Sequence, residues 1–246
     1  MRTLLLLPFL AACSVYPAYV AKKVVELEIP AAALQSLSCE SHNGAIVVTG
    51  AATETIKLRC EMSVRGVTQE EADGNLALLD LGREATDTQL KLFGRYPRAE
   101  LQNRSPGFAF TMTAPAKLAL QLTTHNGDVT TNGVAGPVAV TTHNGRIDGQ
   151  VDGAQLTATT HNGDIALQVG GSGNFEGAIE THNGDVQLVF AGARNAAIEA
   201  STHNGRLTAT GAAAVVEARR SSLRANVGTG GGKLVVTTHN GDVTVR

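Results

Sequence analysis

Residues 120–129 read LQLTTHNGDV, and the Thr-His-Asn-Gly turn at the centre of this stretch decides the fold. The sequence has seven histidines, and each one follows Ser or Thr and precedes Asn-Gly. Such regular recurrence indicates a repeat protein rather than a biased composition. The residues of the turn motif are His42, Asn43, Gly44, His125, Asn126, Gly127, His143, Asn144, Gly145, His161, Asn162, Gly163, His182, Asn183, Gly184, His203, Asn204, Gly205, His239, Asn240 and Gly241.

The spacing of the motif predicts the length of the repeat. From His125 onward the histidines are 18, 18, 21, 21 and 36 residues apart. Because 36 is twice 18, we expect one decayed copy of the motif near residues 221–224. Apolar residues alternate with polar ones on both sides of each turn, as at Leu120, Leu122 and Val129. A period of two is typical of a strand with one buried face.

Two all-β folds fit this pattern. Asn-Gly between alternating segments is the strongest short signal for a hairpin, which would give an antiparallel meander. The short, constant period favours instead a single-stranded β-helix, a solenoid with rungs of 18–21 residues whose equivalent residues stack about 4.8 Å apart. In that fold the histidines face outward in one row and the asparagines form an inner ladder. The Asn-Gly pair would then absorb the change of phase by adopting positive φ.

The composition suits a narrow interior and excludes some partners. The chain has 246 residues with 27 Gly, no Trp and 4% aromatic residues. Small and β-branched side chains can fill a thin solenoid without large aromatics. The net charge is −2 and there is no long basic run. Both facts argue against binding to nucleic acid or to a membrane through a polybasic patch.

The N-terminus resembles a bacterial lipoprotein signal. A short apolar segment ends in Leu10-Ala11-Ala12-Cys13, and ten apolar residues cannot cross about 30 Å of hydrocarbon. We expect a signal peptide at residues 1–12, lipidation of Cys13 and a tether at residues 13–23. This signal predicts an exported protein anchored in the cell envelope, and Ser14 predicts sorting to the outer membrane if the cell is Gram-negative. The alternative is a plain secretory signal with an incidental cysteine.

Residues 24–116 are predicted to form strands and one short helix that lead into a repeat region at residues 117–246. Thr68 to Glu71 is a capping box, which predicts a helix near residues 69–79. Cys39 lies at an inward position, and Cys60 follows 21 residues later, the length of a longer rung. Stacked rungs would bring the two cysteines within range of a disulfide in an oxidising compartment. The alternative is a pair of buried free thiols.

The strand, turn and strand of the repeats, with Asp-Val or Asp-Ile after Asn-Gly in four of the seven copies, resemble the bacterial putative-adhesin family of unknown function and the related head domains of auto-transporter adhesins. The resemblance covers residues 24–246. It implies a right-handed β-helix on an exported or anchored protein with no known catalysis. The family gives no role for a histidine before each Asn-Gly.

Three functions can be weighed from the residues. The first is a non-enzymatic interaction domain that presents the histidine row to a protein or glycan. Its last strand would leave an open rung that allows end-to-end self-association. The second is weak binding of Zn²⁺, Cu²⁺ or Ni²⁺ by the row, since neutral imidazole is a common metal ligand. Its candidate ligands are His143, His161, His182, His203, Asp164 and Asp185. The third is an enzyme, and seven equivalent histidines argue against a single catalytic base.

Overall fold

The computed structural model describes residues 18–246, so the predicted signal peptide and Cys13 lie outside the described residues. The described chain is all-β with one short helix and a solenoid-like repeat, as expected. Within residues 18–246 no helix is both long and apolar enough to span a bilayer. The first elements are β1 Tyr19–Pro30, β2 Ser36–Glu40, β3 Ile46–Ala51, β4 Thr55–Gly66, α1 Gln69–Ala77, β5 Asp80–Ala85, β6 Gln89–Arg95 and β7 Gly107–Pro115.

The remaining strands carry most of the repeats. They are β8 Ala119–Thr123, β9 Val129–Val134, β10 Val138–Thr141, β11 Ile147–Val151, β12 Gln155–Asn162, β13 Ile165–Val169, β14 Ser172–Asn174, β15 Glu176–Asn183, β16 Val186–Phe190, β17 Ala193–Asn204, β18 Leu207–Ala209, β19 Ala213–Ala218, β20 Ser222–Val227, β21 Lys233–Asn240 and β22 Val243–Val245.

Two sheets face each other across the apolar core. One has the strand order β1-β4-β7-β3-β9-β11-β13-β16-β22-β18, and the other has the order β19-β20-β17-β21-β15-β12-β10-β8-β2-β6-β5, with β14 on β17. Each turn motif joins a strand of the second sheet to a strand of the first. Successive repeats pair in parallel, for example Val138 with Leu156 and Ile147 with Ile165. The turn is therefore a corner between sheets, and the meander is wrong.

The order of the rungs in space differs from their order in the sequence. The rung β21–β22, which we call the inserted rung (residues 233–246), lies between β15–β16 and β17–β18. Leu234 pairs with Gly177 on one side and with Ile198 on the other. The predicted decayed motif at residues 221–224 is wrong, because β20 is an antiparallel neighbour of β17. The 36-residue interval holds this antiparallel detour, and the chain then returns into the stack.

The ends of the stack are antiparallel, so the sheets are mixed. The hairpin β19–β20 covers β17 at one end, and β1, β4 and β5 add antiparallel strands at the other. The last strand, β22, is paired with both β16 and β18. The open terminal rung that motivated end-to-end association is therefore wrong at this position.

The two described cysteines are buried free thiols. Cys39 in β2 neighbours Leu92 and Leu122, whereas Cys60 in β4 lies in the other sheet. The stacking that predicted their disulfide is wrong, because β4 is an antiparallel strand and not the next rung. Burial raises the pKa of the Cys60 thiol to about 12, so this thiol resists ionisation and reaction.

The helix α1 forms where the capping box predicts it, and it ends two residues before the predicted position 79. The Thr68 hydroxyl accepts a hydrogen bond from the backbone N–H of Glu71 at 3.1 Å. The Glu71 carboxylate accepts one from the N–H of Val67 at 2.8 Å. These contacts satisfy two donors near the start of the helix.

Arg194 stabilises one corner of the stack, a role that no sequence pattern indicated. Its side chain is 3% exposed, and its guanidinium donates to the carbonyl oxygens of Gly170, Ser172, Asp152 and Gly153. Burial lowers the pKa of this guanidinium. The arginine thus replaces backbone partners that the corner loops lack.

Candidate functional site

The threonine that precedes six of the seven histidines ties neighbouring rungs together. In six of the seven motifs this threonine is nearly fully buried and its hydroxyl donates to the carbonyl oxygen of a glycine in the adjacent rung, at 2.9–3.1 Å. The six residues are Thr124, Thr142, Thr160, Thr181, Thr202 and Thr238. A hydroxyl without such a partner would be costly inside the core.

The glycine of the motif is required by close approach between rungs. A Cβ built on Gly145 would lie 1.9 Å from the Gly127 carbonyl oxygen, and the other motif glycines give 1.9–2.2 Å. Among the motif residues only Gly44 and Gly241 have a left-handed φ, and none of the asparagines has a positive φ. The expected change of phase through positive φ is therefore wrong for the asparagines and for five of the seven glycines, whereas close steric contact is common to all seven glycines.

The asparagines form a continuous hydrogen-bonded ladder at the corner. In six of the seven, the side-chain N–H donates to the amide oxygen of the asparagine in the adjoining rung, at 2.8–2.9 Å. The Asn43 side chain at the end of the ladder donates to the Pro106 carbonyl oxygen at 3.1 Å. Six of the seven side chains are exposed and Asn43 is half-buried. The ladder therefore lies on the surface, and its predicted place inside the solenoid is wrong.

The seven imidazoles stack face to face beside this ladder. Neighbouring ring centroids are 4.7–4.9 Å apart, and all seven residues are exposed. The row runs in the order His42, His125, His143, His161, His182, His239 and His203. Stacking covers the ring faces, so the ring edges with their nitrogen atoms face solvent.

The histidine at one end of the row, His42, has a shifted pKa. The pKa of His42 is lowered by partial burial, then by the neighbouring His125 and by the Arg98 guanidinium. Each of these causes disfavours a positive charge on the ring. His42 should therefore be neutral at pH 7.

The stacked row does not form the predicted metal centre. Among residues 18–246 no three His, Cys, Asp or Glu side chains are grouped so that they could hold a metal ion. The structure also separates two predicted ligands, His182 and His203, by His239. The predicted set was His143, His161, His182, His203, Asp164 and Asp185.

The aspartates that follow Asn-Gly accept hydrogen bonds from backbone N–H groups of the adjacent rung. The Asp164 carboxylate accepts a hydrogen bond from the N–H of Asp185 at 2.9 Å, and Asp185 accepts one from Asp242 at 2.8 Å. Asp128 and Asp242 do the same for the N–H groups of Arg146 and Arg206. These carboxylates extend the ladder to the residues immediately before the strands that follow the corner.

A groove of about 670 Å³ runs along the histidine row. One side is the edge of five successive imidazoles, from His42 to His182. The other side is a row of outward residues two positions before each histidine, which pair with one another across parallel strands. In order these are Glu40, Thr123, Thr141, Thr159 and Glu180. We call this cavity the ladder groove.

The loop between β6 and β7 closes one end of the ladder groove. Tyr96 from this loop stacks on Phe108 with ring centroids 6.0 Å apart, and Arg98 lines the groove near His42. Asn103 and Ser105 have φ of 67° and 49°, which non-glycine residues rarely adopt. These two residues line a neighbouring cavity and not the ladder groove.

Sequence reasoning placed the histidines and missed the other groove residues. The threonines at 123, 141 and 159 were visible as the first Thr of Thr-Thr-His-Asn-Gly. Strand alternation puts them on the same face as the histidine two residues later. Tyr96 and Arg98 had no such signal, because they come from a loop that meets the row only in the folded chain.

Comparison with known proteins gives a family and a fold. A sequence model of the Toastrack DUF4097 family matches residues 13–246, and no curated protein matches the chain. The structure is similar to that of a putative cell adhesion protein from Clostridium sporogenes, with a TM-score of 0.51, 11% identity, and 92% of this chain and 99% of that chain covered. At this identity the similarity shows the fold alone.

Two further solved structures match at lower scores. A putative adhesin from Bacteroides fragilis has a TM-score of 0.33 and 14% identity, with 92% of this chain and 98% of that chain covered. A putative adhesin from Parabacteroides distasonis has a TM-score of 0.23 and 9% identity, with 91% and 97% covered.

Proposed function

Because the chain belongs to the Toastrack DUF4097 family, whose function is unknown, we propose that it is a non-enzymatic, adhesin-like domain of the bacterial cell envelope that binds an extended glycan in the ladder groove. The observation that carries this proposal is the continuous groove along five rungs, lined by imidazole edges and threonine hydroxyls. These groups can each donate and accept hydrogen bonds, as sugar hydroxyls do.

The distribution of apolar residues supports a polar polymer over a folded protein partner. Stable protein interfaces rely on buried aromatic or apolar anchors near their centre. In the described chain the exposed large apolar residues lie away from the groove, in β1, after α1 and in β19. They are Tyr19, Val20, Val24, Leu78, Val215 and Val216. At the groove the aromatic rings of Phe93 and Tyr96 lie only at one end, where a sugar ring could pack.

The proposed anchor is a lipid on Cys13, which would hold the protein at the outer membrane in a Gram-negative cell. In this arrangement β1 begins at Tyr19, six residues after Cys13 and inside the predicted tether, at the edge of the ten-stranded sheet. Nine strand spacings separate β1 from β18, which is about 43 Å at about 4.8 Å each. The stack would thus project the groove away from the membrane.

Metabolic labelling tests this anchor. We expect radioactive palmitate to label the native chain expressed in a bacterial host and to be absent from the Cys13→Ser variant. Cys39 and Cys60 serve as internal controls, because both are buried. Label that persists in Cys13→Ser would contradict lipidation at this residue.

Glycan binding is tested by blocking the groove. Thr141 lies at its centre and is exposed, so Thr141→Trp should fill the space between the two rows while keeping a residue that strands favour. With the full chain solubilised in mild detergent, we expect the variant to lose at least tenfold in affinity for glycans that the native chain binds on a glycan array.

The matched control is Ala139→Trp. Ala139 is exposed on the same face of β10, two residues before Thr141, and does not line the groove. It should bind like the native chain. An array on which the native chain binds no glycan, or on which both tryptophan variants bind equally well, would refute the proposal.

A further inference from the structure

We propose that the ladder groove selects linear glycans that carry carboxylates and that the imidazole row binds them more tightly as the pH falls. This inference rests on the proposed function, and it adds the chemical class of the ligand and a control by pH. The geometry behind it is a regular row of titratable groups beside a groove long enough for several sugar residues.

The charged groups at the groove favour an anion at one end. The Arg98 guanidinium is exposed near His42. Glu40 is engaged by Lys91, whose ammonium group lies 2.9 Å from the carboxylate. Glu180 lines the opposite end. A carboxylated chain would therefore be attracted at the Arg98 end and repelled at the Glu180 end, which fixes the charge pattern of a matching ligand.

Other charges face the row from beyond the asparagine ladder. They are Asp128, Arg146, Asp164, Asp185, Asp242 and Arg206, in spatial order. The aspartates accept backbone N–H groups of the next rung, and Arg146 lies 3.7 Å from Asp164. These groups lie immediately before the strands that follow the corner, and they do not line the groove.

The spacing of the row couples protonation to ligand binding. Unperturbed imidazole takes up a proton near pH 6.5. Two unit charges 4 Å apart repel by about 1 kcal/mol even in bulk water, and these ring centroids are 4.7–4.9 Å apart. Positive charges on adjacent rings would therefore repel each other. A line of carboxylates beside the row would offset that repulsion. Binding of the polymer should therefore be coupled to uptake of protons by the imidazoles.

Linkage gives the size and sign of the effect. Each proton taken up on binding tightens the affinity about tenfold per unit fall in pH, over the pH range in which that proton is taken up. Uptake of one proton therefore predicts about a hundredfold change between pH 7.5 and 5.5. Below about pH 4 the carboxylates of the glycan become protonated, so the affinity should fall again.

The test uses fluorescently labelled polygalacturonate and the full chain in mild detergent, with neutral dextran as the matched probe. We expect polygalacturonate to bind at least tenfold more tightly at pH 5.5 than at pH 7.5, and dextran to show no such change. Arg98→Gln should weaken polygalacturonate binding at least threefold. Glu180→Gln should strengthen it, because it removes the negative charge at the other end.

Three outcomes would overturn the inference: an affinity that does not depend on pH, equal affinity for dextran and polygalacturonate, or Arg98→Gln without effect. Dextran sulfate separates carboxylate recognition from general attraction to polyanions. If it binds as tightly as polygalacturonate at each pH, the carboxylate class is wrong. If the glycan array finds only neutral ligands that Thr141→Trp blocks, the inference fails while the proposed function stands.

Discussion

Gly145→Ala should lower the free energy of unfolding by more than about 4 kcal/mol, the range reached only by severe steric or burial defects. The added Cβ would lie 1.9 Å from the carbonyl oxygen of Gly127. The rungs cannot simply separate, because Gly145 N–H donates to Asn162 at 3.1 Å and the Thr142 hydroxyl donates to Gly127 at 3.1 Å. One methyl group therefore breaks several inter-rung hydrogen bonds together.

Chemical denaturation followed by circular dichroism measures this effect. Gly74→Ala is the matched control, since Gly74 lies inside α1 and a Cβ there meets no atom within 4 Å. An alanine in a helix interior should stabilise the protein by roughly 0.5–1 kcal/mol. A Gly145→Ala protein with native stability would show that the rungs can move apart at little cost.

Val236→Asp should destabilise the part of the stack that contains the inserted rung and its neighbours β15 to β18. Val236 is 0% exposed in the inserted rung and lies between Ile179 in β15 and Ala200 in β17. An unpaired carboxylate at this position would be strongly unfavourable, so we expect a loss above about 4 kcal/mol. Since the rung has a neighbour on each side, both neighbours should lose their packing.

Hydrogen exchange detected by mass spectrometry distinguishes this topology from stacking in sequence order. In the observed order, Val236→Asp should abolish slow exchange in β15, β16, β17 and β18, while β10 to β13 keep their protection. Stacking in sequence order would confine the loss to residues 233–246 and the strand before them. Val216→Asp is the control, because Val216 is 64% exposed in β19 and should change exchange only locally.

Much of the site was accessible from the sequence because its rules are local. The alternation around each turn fixed which side chains enter the core, and Leu120, Leu122 and Val129 are buried as predicted. The capping box likewise placed α1. The reason for the glycine was not accessible, because Gly145 meets Gly127 across rungs rather than within its own turn.

What the sequence determined by itself is the repeat: its corner residues, the inward and outward faces of its strands, and its all-β class. These follow from side-chain alternation and from a motif whose contacts are the same in every copy. Only the tertiary structure decided which rungs are neighbours, that Cys39 and Cys60 lie in different sheets, and that Arg98 reaches the histidine row. The physical reason is that identical corners stack equally well in any order, so the local contacts that specify a rung do not specify the rung beside it. The antiparallel detour through β19 and β20 resolves that ambiguity, by carrying the chain past the end of the stack before residues 233–246 return between β15 and β17.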